Sequence, residues 1–81
     1  MEFSEYFQTE FNDIDFSTKN KLAKLFEECE FENCNFADLD LGQIVFEACT
    51  FKNCDLSLVN LHDTAFKNVF FENCNLKRLR F

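Results

Sequence analysis

The 81-residue sequence contains no proline, no tryptophan, one glycine and one histidine. Proline and glycine are the ordinary means of making tight turns, so the corners of this chain must belong to a regular local plan. No apolar run approaches the roughly 20 residues that carry a helix across a bilayer, and no membrane association is expected. The opening residues Met1 to Tyr6 lack the basic start and apolar centre of an export signal, so a cytoplasmic location is the expectation. Basic residues are scarce: eight stand against 15 acidic ones, for a formal net charge of −7. Such a chain does not neutralise phosphates, which excludes direct nucleic-acid binding as an expected role; it suits a basic protein partner, or simply solubility. His62 has no second histidine and no nucleophile set beside it, so no catalytic pair is built and no enzyme is read here.

What the sequence has in excess is phenylalanine, with thirteen, and cysteine, with five. Their placement is periodic. Phe-Glu-Asn-Cys-Asn at 31–35 returns as Phe-Lys-Asn-Cys-Asp at 51–55 and again as Phe-Glu-Asn-Cys-Asn at 71–75. Within this 20-residue period lies one of five: Phe26, Phe31, Phe36, Leu41, Phe46, Phe51, Leu56, Leu61, Phe66, Phe71, Leu76 and Phe81. Two residues before each runs a row of smaller side chains that includes Cys29, Cys34, Leu39, Ile44, Cys49, Cys54, Val59, Thr64, Val69, Cys74 and Leu79; only Lys24 breaks it. A five-residue period fits neither a helix nor a strand alternation, whereas fixed self-similarity marks a solenoid. With one pentapeptide per side, 20 residues make a four-sided coil. Both rows point inward, and equivalent residues stack about 4.8 Å apart. The predicted fold is all-β, a quadrilateral parallel β-helix of about three regular coils with an irregular N-terminal cap.

This pattern resembles the pentapeptide-repeat proteins, whose consensus is A-(D/N)-L-x-x; Ala37-Asp38-Leu39-Asp40-Leu41 matches it letter for letter. The resemblance implies a right-handed quadrilateral β-helix. The run Phe51 to Ser57 further resembles the quinolone-resistance members, through Phe51, Cys54 and Leu56. Several such proteins are acidic dimers that imitate B-form DNA and bind DNA gyrase or topoisomerase IV, protecting it from quinolones or peptide toxins. The resemblance therefore implies a type II topoisomerase as partner. The gyrase-contacting loops of that group have no counterpart outside residues 17–25, and the basic C-terminal coil departs from their pattern.

Two regions follow: residues 1–25, a capping segment or imperfect first coil, and residues 26–81, the repeat proper. In the first, Ile14 and Phe16 echo the repeat, whereas 17–25 leave its register, with Lys21 at an inward position; a short loop or helical turn covering the end of the β-helix is expected. The sequence stops on the inward Phe81, and a bare coil end exposes a sheet edge and the core. The expectation is a longer protein, or a homodimer through the open end.

The remaining features divide into filler and surface. The cysteines occupy the small inward position and are expected as buried hydrophobes; their C-x₄-C spacing lies at the limit of zinc-site spacing, and neither metal nor cofactor is expected. Asn33, Asn53 and Asn73 form an outward ladder suited to stacked amide hydrogen bonds. Asp55 and Asp63 are expected at the solvated surface. Residues 1–65 hold 14 acidic and four basic side chains, and residues 66–81 one acidic and four basic. The candidate partner-binding surface is Glu27, Glu28, Glu30, Glu32, Asp38, Asp40 and Glu47. A candidate apolar interface is the stripe Leu25, Val45 and Ala65, with Phe70 and Phe81, covered by the N-terminal segment or by a second copy. The functional expectation is a non-catalytic interaction module, a DNA mimic of the topoisomerase-binding kind, or alternatively a structural scaffold segment of a longer protein.

Overall fold

Each pentapeptide makes a short extended side and then a corner. A computed structural model describes residues 5–18 and 22–80; the inward positions Lys21 and Phe81 lie outside them. Eight three-residue strands are present: β1 (Glu5–Phe7), β2 (Glu10–Asn12), β3 (Leu25–Glu27), β4 (Glu30–Glu32), β5 (Val45–Glu47), β6 (Thr50–Lys52), β7 (Ala65–Lys67) and β8 (Phe70–Glu72). Every strand is centred on an inward aromatic ring, from Tyr6 to Phe71. The corner that follows is a residue in the left-handed region, with φ between 50° and 64° at thirteen positions from Gln8 to Arg78, none of them glycine. Asn and Asp, which tolerate that region best among side-chain-bearing residues, occupy seven of them: Asp13, Asn33, Asp38, Asn53, Asp63, Asn68 and Asn73. The chain thus turns without proline and with its glycine elsewhere.

The strands form two parallel sheets, β1-β3-β5-β7 and β2-β4-β6-β8. Partners are 20 residues apart throughout, as in Phe26↔Phe46 and Phe31↔Phe51. Single bridges build the other two sides: Asp15, Asn35, Asp55 and Asn75 in one line, Asp40, Asn60 and Arg80 in the other. The quadrilateral parallel β-helix implied by the repeat is the observed fold. Residues 5–18 keep the same register, with Glu5 opposite Leu25 and Phe11 opposite Phe31. Phe16 is buried and opens a 3-10 turn, Phe16–Thr18. That turn is tied down by Asp15, whose carboxylate accepts from the backbone N–H and the hydroxyl of Ser17. Ala23 is buried as the coil closes.

The core is a set of ring stacks. Phe11, Phe31, Phe51 and Phe71 stack with centroids 5.0, 4.6 and 5.1 Å apart and planes within 18° of parallel. Tyr6, Phe26, Phe46 and Phe66 do the same on the neighbouring side, and Phe16 stacks on Phe36 at 4.7 Å. Rings on adjacent sides meet edge to face, as Phe26 and Phe31 do at 68° and 5.4 Å; both arrangements suit the ring quadrupole. Phe31, Phe36, Phe46 and Phe51 are fully buried, each worth about 1.5–3 kcal/mol in transfer free energy. The inward rows do not stay buried to the last coil. Phe71 is 37% and Leu76 41% exposed; among the described residues, that coil has a neighbouring coil on one side only. With Leu56, Val59, Leu61, Phe66 and Leu79 they line an open apolar hollow.

Candidate protein-interaction surface

The seven acidic residues singled out from the sequence fall into two groups. Glu27, Glu28, Glu30 and Glu32 lie on β3, on β4 and at the left-handed corner between them. Parallel pairing multiplies this group along the axis: Glu47 sits beside Glu27 and Glu10 beside Glu30. Neighbours in such a ladder are about 4.8 Å apart, and like charges directly opposite one another destabilise a sheet. Glu5 and Glu10 were not singled out from the sequence; applying the 20-residue offset backward from Glu30 finds Glu10. The run of like charge ends further along, where Lys67 follows Glu47 and Lys52 follows Glu32.

Asp38 and Asp40 lie on the other two sides, and each is engaged within the protein. The Arg80 guanidinium donates to Asp38 Oδ1 at 2.7 Å and to the Leu58 carbonyl at 2.6 Å, spanning two coils. Asp40 Oδ1 accepts from the Gly42 N–H at 2.8 Å and lies 3.0 Å from His62 Nε2. The Gly42 N–H, followed by His62, holds the Asp40 carboxyl below its ordinary range. A Cβ on Gly42 would stand 2.1 Å from His62 Nε2, so the single glycine makes room for the single histidine. No local sequence motif announces this pair; the signal is that Gly42 and His62 are one coil apart. These are the contacts between acidic and basic side chains found among the described residues, and neither uses a glutamate of β3 or β4. Both are exposed and contribute little to stability.

Leu25, Val45 and Ala65 form one half-buried stripe by register. Residues 5–18 do not fold over it. They pair edge-on with β3 and β4, and Glu5 prolongs the stripe. Phe70 stands on the adjacent sheet, 70% exposed, beside Thr50; Phe81 lies outside the described residues. Asp55 and Asp63 occupy a third-side and a corner position respectively.

The inward cysteines donate as well as fill. Cys49 Sγ lies 3.2 Å from the Phe26 carbonyl and Cys54 Sγ 3.4 Å from that of Phe31, both in the preceding coil. Thr64 uses the same position, its hydroxyl donating to the Leu41 carbonyl at 2.8 Å. Burial pushes the Cys49 thiol up to about 11 and the Cys54 thiol to about 12, and raises Cys29 and Cys34 as well. All five cysteines are free. Among the described residues no group of three or more His, Cys, Asp or Glu is arranged to hold a metal ion. Of the asparagine ladder, Asn73 Nδ2 donates to Asn53 Oδ1 at 2.6 Å.

Comparison with known proteins bears on the fold and its family. A family model described as pentapeptide repeat region matches residues 24–81. The chain belongs to the pentapeptide-repeat family. The matched span begins at the coil carrying β3, and residues 5–18 continue the same register ahead of it, with Tyr6, Phe11 and Phe16 stacked on the inward rings of the next coil. A comparison with curated proteins finds no match. Family membership points to a protein-interaction scaffold, and no helix among the described residues is long and apolar enough to cross a membrane.

Proposed function

We propose that this pentapeptide-repeat protein is a non-catalytic interaction module whose acidic sheet faces bind the basic, DNA-binding surface of a partner, with a type II topoisomerase such as DNA gyrase as the partner class. The observation that carries this reading is the in-register glutamate group: Glu10 beside Glu30 and Glu27 beside Glu47, with Glu28 and Glu32 around the same corner. Like charges held in register cost stability, and a protein usually departs from good local design where function requires it. A basic surface relieves that repulsion on contact, and regularly spaced carboxylates on a rigid frame meet it without reorganisation. The quinolone-resistance-like run at 51–57 supports the choice of partner class.

The test is DNA supercoiling by gyrase, with and without a quinolone, across a salt series. Salt-sensitive inhibition or protection is expected, lost in the E28K/E30K/E32K variant. Absence of any effect from folded protein at micromolar concentration overturns the topoisomerase assignment.

A further inference from the structure

The outer face of the sheet β2-β4-β6-β8 carries two rows of side chains in register. One row reads Glu10, Glu30, Thr50, Phe70 and the other Asn12, Glu32, Lys52, Glu72. The left-handed corner beside them adds Asp13, Asn33, Asn53 and Asn73. The face changes character half-way along the axis. On β2 and β4 every charge is negative, whereas β6 and β8 bring Lys52 and Phe70, with Glu72 the one carboxylate. Phe70 is 70% exposed, more than any other large apolar side chain among the described residues. We infer that this face pairs with the same face of a second copy, about a two-fold axis parallel to the strands and lying between β4 and β6.

A two-fold contact is self-complementary, each opposition occurring twice. The operation lays β2 over β8 and β4 over β6 and keeps each row on itself. Glu32 then faces the second copy's Lys52, Glu30 its Thr50, Asn12 its Glu72 and Glu10 its Phe70. At the corner Asp13 faces Asn73 and Asn33 faces Asn53. No opposition joins like charges. Glu32 and Lys52 attract, while Glu30 with Thr50 and Asn12 with Glu72 each set a carboxylate against a donor. Phe70 leaves water against β2.

Charge selects this arrangement over its neighbours. An axis moved onto β4 sets Glu30 and Glu32 against themselves, and one moved onto β6 sets Glu32 against Glu72. An axis along the β-helix sets Glu30 against Glu32. On the other sheet the same operation opposes Glu27 and Glu47, and like charges facing each other across a contact are costly. The match lies within the four tiers and uses neither end of the coil. Four strands span about 15 Å at ordinary spacing, so the contact is small and the dimer weak and reversible. The pairing does not rest on the topoisomerase reading. It does cover Glu10, Glu30 and Glu32, so a basic partner and a second copy compete for this sheet.

The experiment is the molar mass of the 81-residue chain by sedimentation and light scattering, from micromolar to millimolar protein and across a salt series. Circular dichroism confirms that each variant is folded. A monomer–dimer equilibrium is expected that weakens as salt rises, since screening reduces attraction between opposite charges. The F70E variant sets a carboxylate against Glu10 and is expected to dimerise roughly tenfold more weakly, through two equivalent repulsions. The E10K/F70E variant turns each of those repulsions into an attraction and is expected to regain the dimer. The two positions are three tiers apart within one chain, so the rescue reports contact between copies. Backbone amide shifts of isotope-labelled wild-type protein on dilution are expected along β2, β4, β6 and β8, a measurement that needs no variant. A chain monomeric at every concentration overturns the proposal. Shifts confined to β1, β3, β5 and β7 would put the contact on the other sheet and overturn it as well, as would growth beyond a dimer.

Discussion

At the scale of single residues, the corner position does work that glycine does elsewhere. Leu58 occupies it with φ 62° while 38% exposed, so only partial burial offsets the steric cost of the left-handed region, about 1–2 kcal/mol. Leu58→Asn is therefore expected to raise stability by about 0.5–1 kcal/mol, read as a higher denaturation midpoint; the Arg80 contact is to the backbone carbonyl and survives the change. The inward thiols give a pH signature. Folding raises the Cys49 and Cys54 values to about 11 and about 12, above the usual thiol value of about 8.5. Between those limits the folded chain holds more protons than the unfolded one, so stability falls as pH rises. Stability is expected to hold below about pH 8.5 and to decline into the alkaline range. The same thiols are expected to resist a maleimide in native protein and react once it is denatured.

At the scale of the element, one strand and its corner form a unit whose burial depends on having neighbours in both directions. Phe51 is fully buried between Phe31 and Phe71, whereas Phe71 is 37% exposed. Phe51→Ala is expected to cost about 3–5 kcal/mol and Phe71→Ala distinctly less, nearer 1–2 kcal/mol; equal losses in chemical denaturation would mean that the last coil is covered in solution. Strand centres and inward rows were legible because each sits on a Phe or Leu at fixed spacing. The first coil was harder to see. In residues 17–25 the sequence abandons the repeat, yet on either side of that break Glu5–Phe7 pair with Leu25–Glu27 at the 20-residue offset; hydrophobic spacing alone does not carry across the break. The hydrogen-bonding role of the cysteines was hidden for a similar reason, since their acceptors lie 23 residues away in the preceding coil.

At the scale of the molecule, charge is distributed against the interest of stability. Glu30 pairs with Glu10 in a protein of net charge −7. Glu30→Lys is expected to raise the melting temperature, most clearly at low salt where repulsion is least screened, and at the same time to weaken binding to a basic partner. A variant that gains stability without losing binding would move the contact surface away from β4. Much of this surface was readable in the sequence as outward glutamates, but its division was not. Asp38 and Asp40 belong in sequence to the same acidic series, yet Arg80 and His62 reach them from later coils. Only the folding of distant segments onto one side decides which carboxylates already have partners.

The small space over Gly42 has a consequence for how the chain finds its alignment. Because every side repeats the same five-residue plan, a slip of one pentapeptide keeps the inward rows inward, and the core alone discriminates weakly against it. The His62 ring fits where a Cβ is missing. After such a slip it would face Ala37 or Glu47, where a side chain stands in the way. The lone glycine and the lone histidine thus act as an alignment key, pinning one tier to the next in a molecule otherwise free to misthread by a quarter turn.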